Sequence, residues 1–225
     1  MATVLLRILT ANLYNGIADA DDFGDLLDQT RPDVVACQEL GPSAAAVIAQ
    51  RMPHGILLPA LDHTGMALAS IQPIEVHRHS LPHRDGLVGR LRLEDRPLTI
   101  WSVHLANPLD LPPTLKRRRA QALALSEAVA AGQADGDRIV VVGDLNATPI
   151  WPVYRLLRRH LADGVADWAA REGTRAPRTW AYRSGMRPLL RIDHALVSGV
   201  VVKTAESLLV PGSDHRALVV DVEGA

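Results

Sequence analysis

Aromatic side chains are scarce in this 225-residue chain, where four Trp, three Tyr and one Phe make up 4% of the sequence. That scarcity weighs against an extended stacking platform for single-stranded bases. An excess of charge of either sign is missing too, since 24 Lys and Arg face 25 Asp and Glu for a formal net charge of -1. No broad basic footprint for a polyanion follows, although one phosphate can be gripped in a small site without it. Cysteine occurs once, as Cys37 in the run Val34-Val35-Ala36-Cys37, which excludes an internal disulfide and predicts a buried, inert thiol. Long apolar runs are also lacking: Val4-Leu5-Leu6 is cut by Arg7, and no stretch reaches membrane-spanning length. These absences predict a cytoplasmic protein without a transmembrane segment.

What is present suits a compact fold. With 48% hydrophobic and 22% charged residues, the chain can bury a substantial core, and its length predicts a single domain over residues 1–225. Val4 to Ala11 reads as a first strand ending in the polar cluster Asn12-Leu13-Tyr14-Asn15-Gly16. Phe23, Leu26 and Leu27 give helical spacing from Asp19 to Gln29, and Asp33 to Cys37 reads as a buried strand leading into Gln38-Glu39. Ser43 to Met52 is an Ala-rich helix with Ser43 as its expected cap. Short apolar stretches broken by Pro and Gly predict successive antiparallel strands from Met66 to His104, the last spanning Leu98 to Val103. A helix from about Leu115 to Ala131 follows a Pro-rich loop. Arg138 to Val142 is the clearest buried strand. A helix at Val153 to His160 precedes an irregular segment reaching Arg187. Three strands close the chain, at Leu189 to Val197, Val200 to Leu209 and Ala217 to Val222.

Strand after strand empties into a polar residue able to meet metal or phosphate: Asn12, Glu39, His104, Asp144, Asn146, Asp193, Asp214 and His215. Sites gather at such ends because the strand fixes the side chain while the loop admits a ligand. In Gly143-Asp144-Leu145-Asn146, period-two spacing sets a carboxylate and a carboxamide on one side, suited to a nucleophilic water and a phosphoryl oxygen. The same residues would also make an ordinary turn. Glu39 offers hard oxygens suited to Mg²⁺ or Mn²⁺, though a lone glutamate is more often a solvated loop residue. Asp193 and His215 could form a carboxylate–imidazole pair, while His194 reads as structural. His104 alone reads as structural as well.

The ordered set resembles the endonuclease/exonuclease/phosphatase superfamily. It does so through Asn12, Gln38-Glu39, His104-Leu105, Gly143-Asp144-Leu145-Asn146, Arg191-Ile192-Asp193 and Ser213-Asp214-His215. The resemblance implies a four-layer α/β/β/α sandwich of two mixed sheets and a divalent-metal-dependent hydrolase of phosphodiesters or phosphomonoesters. Asn12, Glu39 and Asp214 would hold or adjoin Mg²⁺ or Mn²⁺. His104 and Asn146 would bind nonbridging oxygens, Asp144 would serve the attacking water, and Asp193 would orient His215. Whether Asp144 or His215 is the base stays open. Tyr14 stands where some abasic-site endonucleases carry an acid, which lowers the expectation of that activity. The substrate is a phosphate ester, a nucleic acid among the candidates, and a noncatalytic binding module on the same fold is the reading from another class.

Three further features carry weaker signals. Lys116-Arg117-Arg118-Arg119 sets positive charge against a helix start, forgoing about 0.3–1 kcal/mol per site, which hints at phosphate contact by Arg118. Arg118 and Gln121 also match an Arg-x-x-Gln feature of the family, with packing or hydrogen bonding as an equal role. His77, His79 and His83 read as an exposed hairpin rather than a metal site. Trp180 could line a substrate cleft or simply pack beside it.

Overall fold

The computed structural model describes residues 5–94, 96–108 and 114–225. Two six-stranded mixed sheets lie face to face. The first contains β1 (Leu6–Asn12), β2 (Val34–Gln38), β3 (His54–Leu58), β4 (Met66–Ser70), β11 (Val200–Leu209) and β12 (Arg216–Gly224), in the order β11-β12-β1-β2-β4-β3. The second contains β5 (Glu75–His79), β6 (Gly86–Leu93), β7 (Arg96–His104), β8 (Arg138–Asp144), β9 (Ala162–Asp163) and β10 (Asp193–Ser198), in the order β5-β6-β7-β8-β10-β9.

Side-chain alternation builds the layers. In β1 and β2, Ile8, Val34 and Ala36 point between the sheets, while Leu9, Ala11, Val35 and Cys37 point outward onto α1 (Ala20–Thr30) and α2 (Pro42–Arg51). In β8, Val140 and Val142 face the other sheet. Ile139 and Val141 meet Ala122, Leu125 and Val129 of α3 (Thr114–Ala134) and Leu157 of α4 (Pro152–Leu157). Each Val, Leu or Ile so buried contributes roughly 1.5–3 kcal/mol, and both faces of the central strands are used, which explains their near-continuous apolar runs. The result is the expected four-layer sandwich.

Several local expectations are corrected. Asp19 caps α1 by accepting from the amides of Asp21 and Asp22, but Ser43 does not cap α2. Gly41 holds that position and Pro42, with no N–H to satisfy, begins the helix. The stretch from Met66 to His104 is not one antiparallel run: β4 pairs with β2 and β3, and the chain crosses between the sheets before β5. The strand expected from Leu189 begins only at Asp193, because Leu189 and Leu190 are exposed in a loop. Inside the segment read as irregular lies α5 (Gly164–Arg171), capped by Asp163. Cys37 is buried and its thiol is pushed up by desolvation, as an inert core residue should be. β5 carries His77 exposed and His79 edge-on to Trp101 at 4.8 Å, a hairpin role.

Register delivers the polar ends to one level. Parallel pairing aligns Asn12 with Gln38 and His104 with Asp144, and antiparallel pairing aligns Asp193 with Asp144.

Candidate active site

Asp144 sits at the centre, 1% exposed. Its Oδ1 accepts the Asn146 backbone N–H at 2.7 Å. Its Oδ2 accepts from Asn12 Nδ2 at 3.2 Å and Asn146 Nδ2 at 3.0 Å, with His104 Nε2 at 3.5 Å and His215 Nε2 at 3.9 Å. The backbone there tolerates little else: Gly143 has φ +130°, and a Cβ would fall 2.1 Å from the Val103 carbonyl oxygen.

Asn12 joins the two sheets. Its amide donates to Asp144 and, at 3.1 Å, to Glu39 Oε1, while its oxygen accepts the Tyr14 N–H at 2.9 Å. Flipping the amide would set that oxygen against two carboxylates, so the orientation is dictated by its neighbours. Glu39 takes a left-handed conformation, φ 54°, and its Oε2 accepts the Asn15 N–H at 2.7 Å. Its Oε1 also lies 3.6 Å from His104 Nε2.

The last site element is fastened by Ser213, whose hydroxyl donates to the Asn12 carbonyl at 2.8 Å and accepts the His215 N–H at 3.0 Å. Behind it, His215 Nδ1 lies 2.9 Å from Asp193 Oδ2. Thr179, which sequence reasoning missed, holds Asp193: its hydroxyl accepts the amides of Ile192 and Asp193, and its carbonyl accepts the Arg216 N–H. Trp180 donates its indole N–H to Asp214 Oδ2 at 2.9 Å, and the buried Asp214 Oδ1 has no hydrogen-bond partner among the described residues.

Electrostatics separates these groups. Burial pushes Asp144 up to about 7, with the Asp193 charge adding to it against the pull of His215 and the hydrogen bonds from Asn146 and Asn12. Burial works against the His215 cation, but Asp193, hydrogen-bonded to it, and Asp144 outweigh that and raise it to about 10. Burial, reinforced by Arg84, His215 and His63, holds His104 well below its ordinary value and therefore neutral.

Glu39, His104, Asp144, Asn146, Asp214 and His215 all line one cavity of about 350 Å³, with Trp180 on its wall. Asn12 supports the cavity from beneath through Glu39 and Asp144, and Asp193 does so through His215. Tyr14, His63, Arg84 and Trp151 line it as well. No strand-end pattern marks these four, which sit on loops. Asn146 spends both amide hydrogens inside the protein, on the Leu105 carbonyl and Asp144. Arg118 does not line the cavity. It is 1% exposed, its guanidinium donates to the carbonyls of Ala106 and Asn146 at 2.8 Å each, and it stacks 5.0 Å from the Trp151 ring. Gln121, three residues on, accepts the Ala106 N–H at 2.9 Å. The basic run thus contributes a brace between two site loops. His194 is fully buried against the Ala147 carbonyl, the structural role expected of it.

Among the described residues, two donor sets could take a cation. Asp144, Asp193 and His215 offer atoms within 4.8 Å of one another, and the buried Asp193 Oδ1 has no hydrogen-bond partner among the described residues, but Asp193 Oδ2 favours a protonated His215 ring, which has no lone pair for a metal. Glu39 and Asp214 offer hard carboxylate oxygens at the cavity, one of them the unpartnered Asp214 Oδ1, and that chemistry fits Mg²⁺ or Mn²⁺ better.

Residues 9–215 match the Endonuclease/Exonuclease/phosphatase family. No curated protein matches this chain. Among solved structures, a functionally unknown conserved protein from Enterococcus faecalis is 18% identical, covering 98% of this chain and 100% of its own, with TM-score 0.74. TDP2 from D. rerio, solved with a single-strand DNA product, is 16% identical over 97% and 98% of the two chains, with TM-score 0.76. A mannosyl-6-phosphatase from Bacteroides thetaiotaomicron is 14% identical over 96% and 99%, with TM-score 0.68. Identities this low show a shared fold.

Proposed function

Because the chain belongs to the endonuclease/exonuclease/phosphatase family, we propose that it hydrolyses a phosphoester with a divalent cation, Mg²⁺ or Mn²⁺, using Asp144 as the base for the attacking water. The observation that carries this reading is the convergence of Asp144, Glu39, Asp214 and the Asp193-backed His215 on one cavity. Glu39 and Asp214 would hold the cation, with Asn12 fixing the Glu39 carboxylate. When bound, it would neutralise charge developing on the phosphoryl and leaving oxygens.

Asp144 suits the role of base because a carboxylate raised to about 7 can both exist as an anion near neutrality and accept a proton. Asn146 and Asn12 hold its lone pairs in place. His215, raised to about 10, is an imidazolium at neutrality and therefore has no free site for a water proton. Its Nε2–H points toward the cavity beside Asp144, 3.9 Å away. In-line displacement places the attacking and leaving oxygens on opposite sides of phosphorus. A group adjoining the base thus serves the nonbridging oxygens rather than the leaving group. The water oxygen bonds to phosphorus, its proton passes to Asp144, and the P–O ester bond breaks on the far side. Neutral His104, with Nε2 3.6 Å from Glu39 and 3.5 Å from Asp144, would offer an N–H to the phosphate.

Bis-p-nitrophenyl phosphate and p-nitrophenyl phosphate, with Mg²⁺, Mn²⁺ or EDTA, test the reading alongside Asp144→Asn and His215→Ala. Cation-dependent release of p-nitrophenolate, lost in both variants, is expected. Inert wild-type protein, or full activity in both variants, would end the proposal.

A further inference from the structure

Trp180 and Leu190 form an isolated antiparallel pair, and between them the chain loops outward over residues 181–189. The base of this hairpin lines the catalytic cavity through both paired residues. Its tip turns at Arg183–Met186, with Gly185 at φ +76°, and exposes Tyr182 by 67%, Met186 by 51% and Leu189 by 54%. Arg183 and Arg187 are exposed among these apolar groups, and Arg183 lies over the Tyr182 ring. From Gly173 to Ile192 the sequence contains no acidic residue.

Other loops at the same mouth carry the same kind of side chain. Leu61, 86% exposed, stands two residues before the cavity-lining His63, and Ile150, 78% exposed, lies between Thr148 and Trp151, which both line the cavity. Ile17 is exposed beside Gly212, whose N–H donates to Ser184 in the hairpin. Among the described residues, apolar side chains are thus exposed on four loops near the cavity, with the hairpin carrying Tyr182, Met186 and Leu189 close together in sequence.

We propose that this rim docks onto an anionic lipid bilayer, so that the cavity opens onto the membrane surface; that the pocket there meets a headgroup phosphoester rests on the hydrolase reading above. Apart from Tyr182 these tips are not aromatic, so the faces on which nucleobases could stack are confined to the cavity lining, where Tyr14, Trp151 and Trp180 stand. The tips are also separated by a polar cavity, so they form no continuous patch complementary to one folded partner. A bilayer interface accepts separate apolar tips, and arginines beside them meet lipid phosphates while their stems stay in apolar surroundings. Asp62 beside Leu61, and Asp21 and Asp22 behind Ile17, oppose an anionic surface, which makes the acid-free hairpin the principal contact.

Vesicle co-sedimentation tests this with the full chain, without cation, on phosphatidylcholine alone and on phosphatidylcholine mixed with phosphatidylglycerol. Wild-type protein should pellet with the anionic vesicles, and the Trp180 region should shift tryptophan emission to the blue. Arg183→Glu with Arg187→Glu, and separately Met186→Ser with Leu189→Ser, should each weaken partitioning on the order of tenfold or more. Both should keep wild-type melting temperature and wild-type turnover of bis-p-nitrophenyl phosphate. Failure of the hydrolase reading would show only in that turnover, not in the vesicle data. No binding to anionic vesicles, undiminished binding by both variants, or binding of a single-stranded oligonucleotide that the variants lose while vesicles are ignored would each overturn the proposal.

Discussion

His215 and Asp193 lie 2.9 Å apart through Nδ1 and Oδ2, both buried, and that contact favours the protonated form of the ring facing the cavity. The backbone N–H of Asp193 is itself held by the Thr179 hydroxyl, so the placing of this pair draws on a segment outside the strand ends.

A pH profile follows from that pair. His215 raised to about 10 keeps its proton below that pH and loses it above. Asp144 raised to about 7 is protonated, and useless as a base, below that pH. Before cation binding, the charge state that the proposed mechanism needs, Asp144 anionic beside a protonated His215, is therefore best populated between the two. Asp193→Asn should pull the alkaline limb of kcat down toward the ordinary imidazole range and lower kcat by roughly 10²–10⁴, the scale of a positioned acid–base group. An unchanged alkaline limb would show that Asp193 does not control the ring.

Arg118 supplies a test of positioning. Replacing it with Ala leaves the Ala106 and Asn146 carbonyls without their donors and opens space under Trp151, at a cost of about 2–4 kcal/mol in stability. Thermal denaturation should register that loss. Because Asn146 also orients Asp144, kcat should fall while KM for a small diester stays near wild type.

Gly143 allows no side chain. With φ +130° and a Cβ position 2.1 Å from the Val103 carbonyl oxygen, Gly143→Ala must separate β7 from β8 at the level of His104 and Asp144. A loss of several kcal/mol, about 3 or more, is expected by chemical denaturation.

Acid stability should depend on Asp163. Burial opposes its charge, but a two-pronged contact with Arg191 and the Tyr154 hydroxyl outweigh this and depress it to about 2. Its contribution is complete above the unfolded-state value and lost as pH falls from roughly 4 through 2, amounting to about 2 kcal/mol. Denaturant melts across that window should show the decline. Asp163→Asn should flatten it and, by stranding Arg191, destabilise the protein at neutral pH by about 3–5 kcal/mol.

The strand ends were legible because Asn12, Glu39, His104, Asp144 and Asp193 each end or begin a buried apolar run, and sheet register turns such positions into neighbours. Thr179 and Trp180 carried no such mark: their segment has no period, and its hydrogen bonds to Asp193, Asp214 and Leu190 arise from chain crossings that local sequence does not encode. Composition misleads in the same place. Aromatics are few, yet Tyr14, Trp151 and Trp180 all line the same cavity, a concentration that an average over 225 residues conceals. Arg118 illustrates the converse, since a basic run suggests solvent or phosphate, whereas its buried member is bound to two loop carbonyls.

Turnover of bis-p-nitrophenyl phosphate by wild type and Asp144→Asn, each with Mg²⁺ and then with EDTA, tests the central claim most directly. The site described here predicts hydrolysis by the wild type with Mg²⁺, none with EDTA, and a loss on the order of 10³ or more in the variant while its fold is kept. Undiminished hydrolysis in EDTA, or by Asp144→Asn, would contradict it.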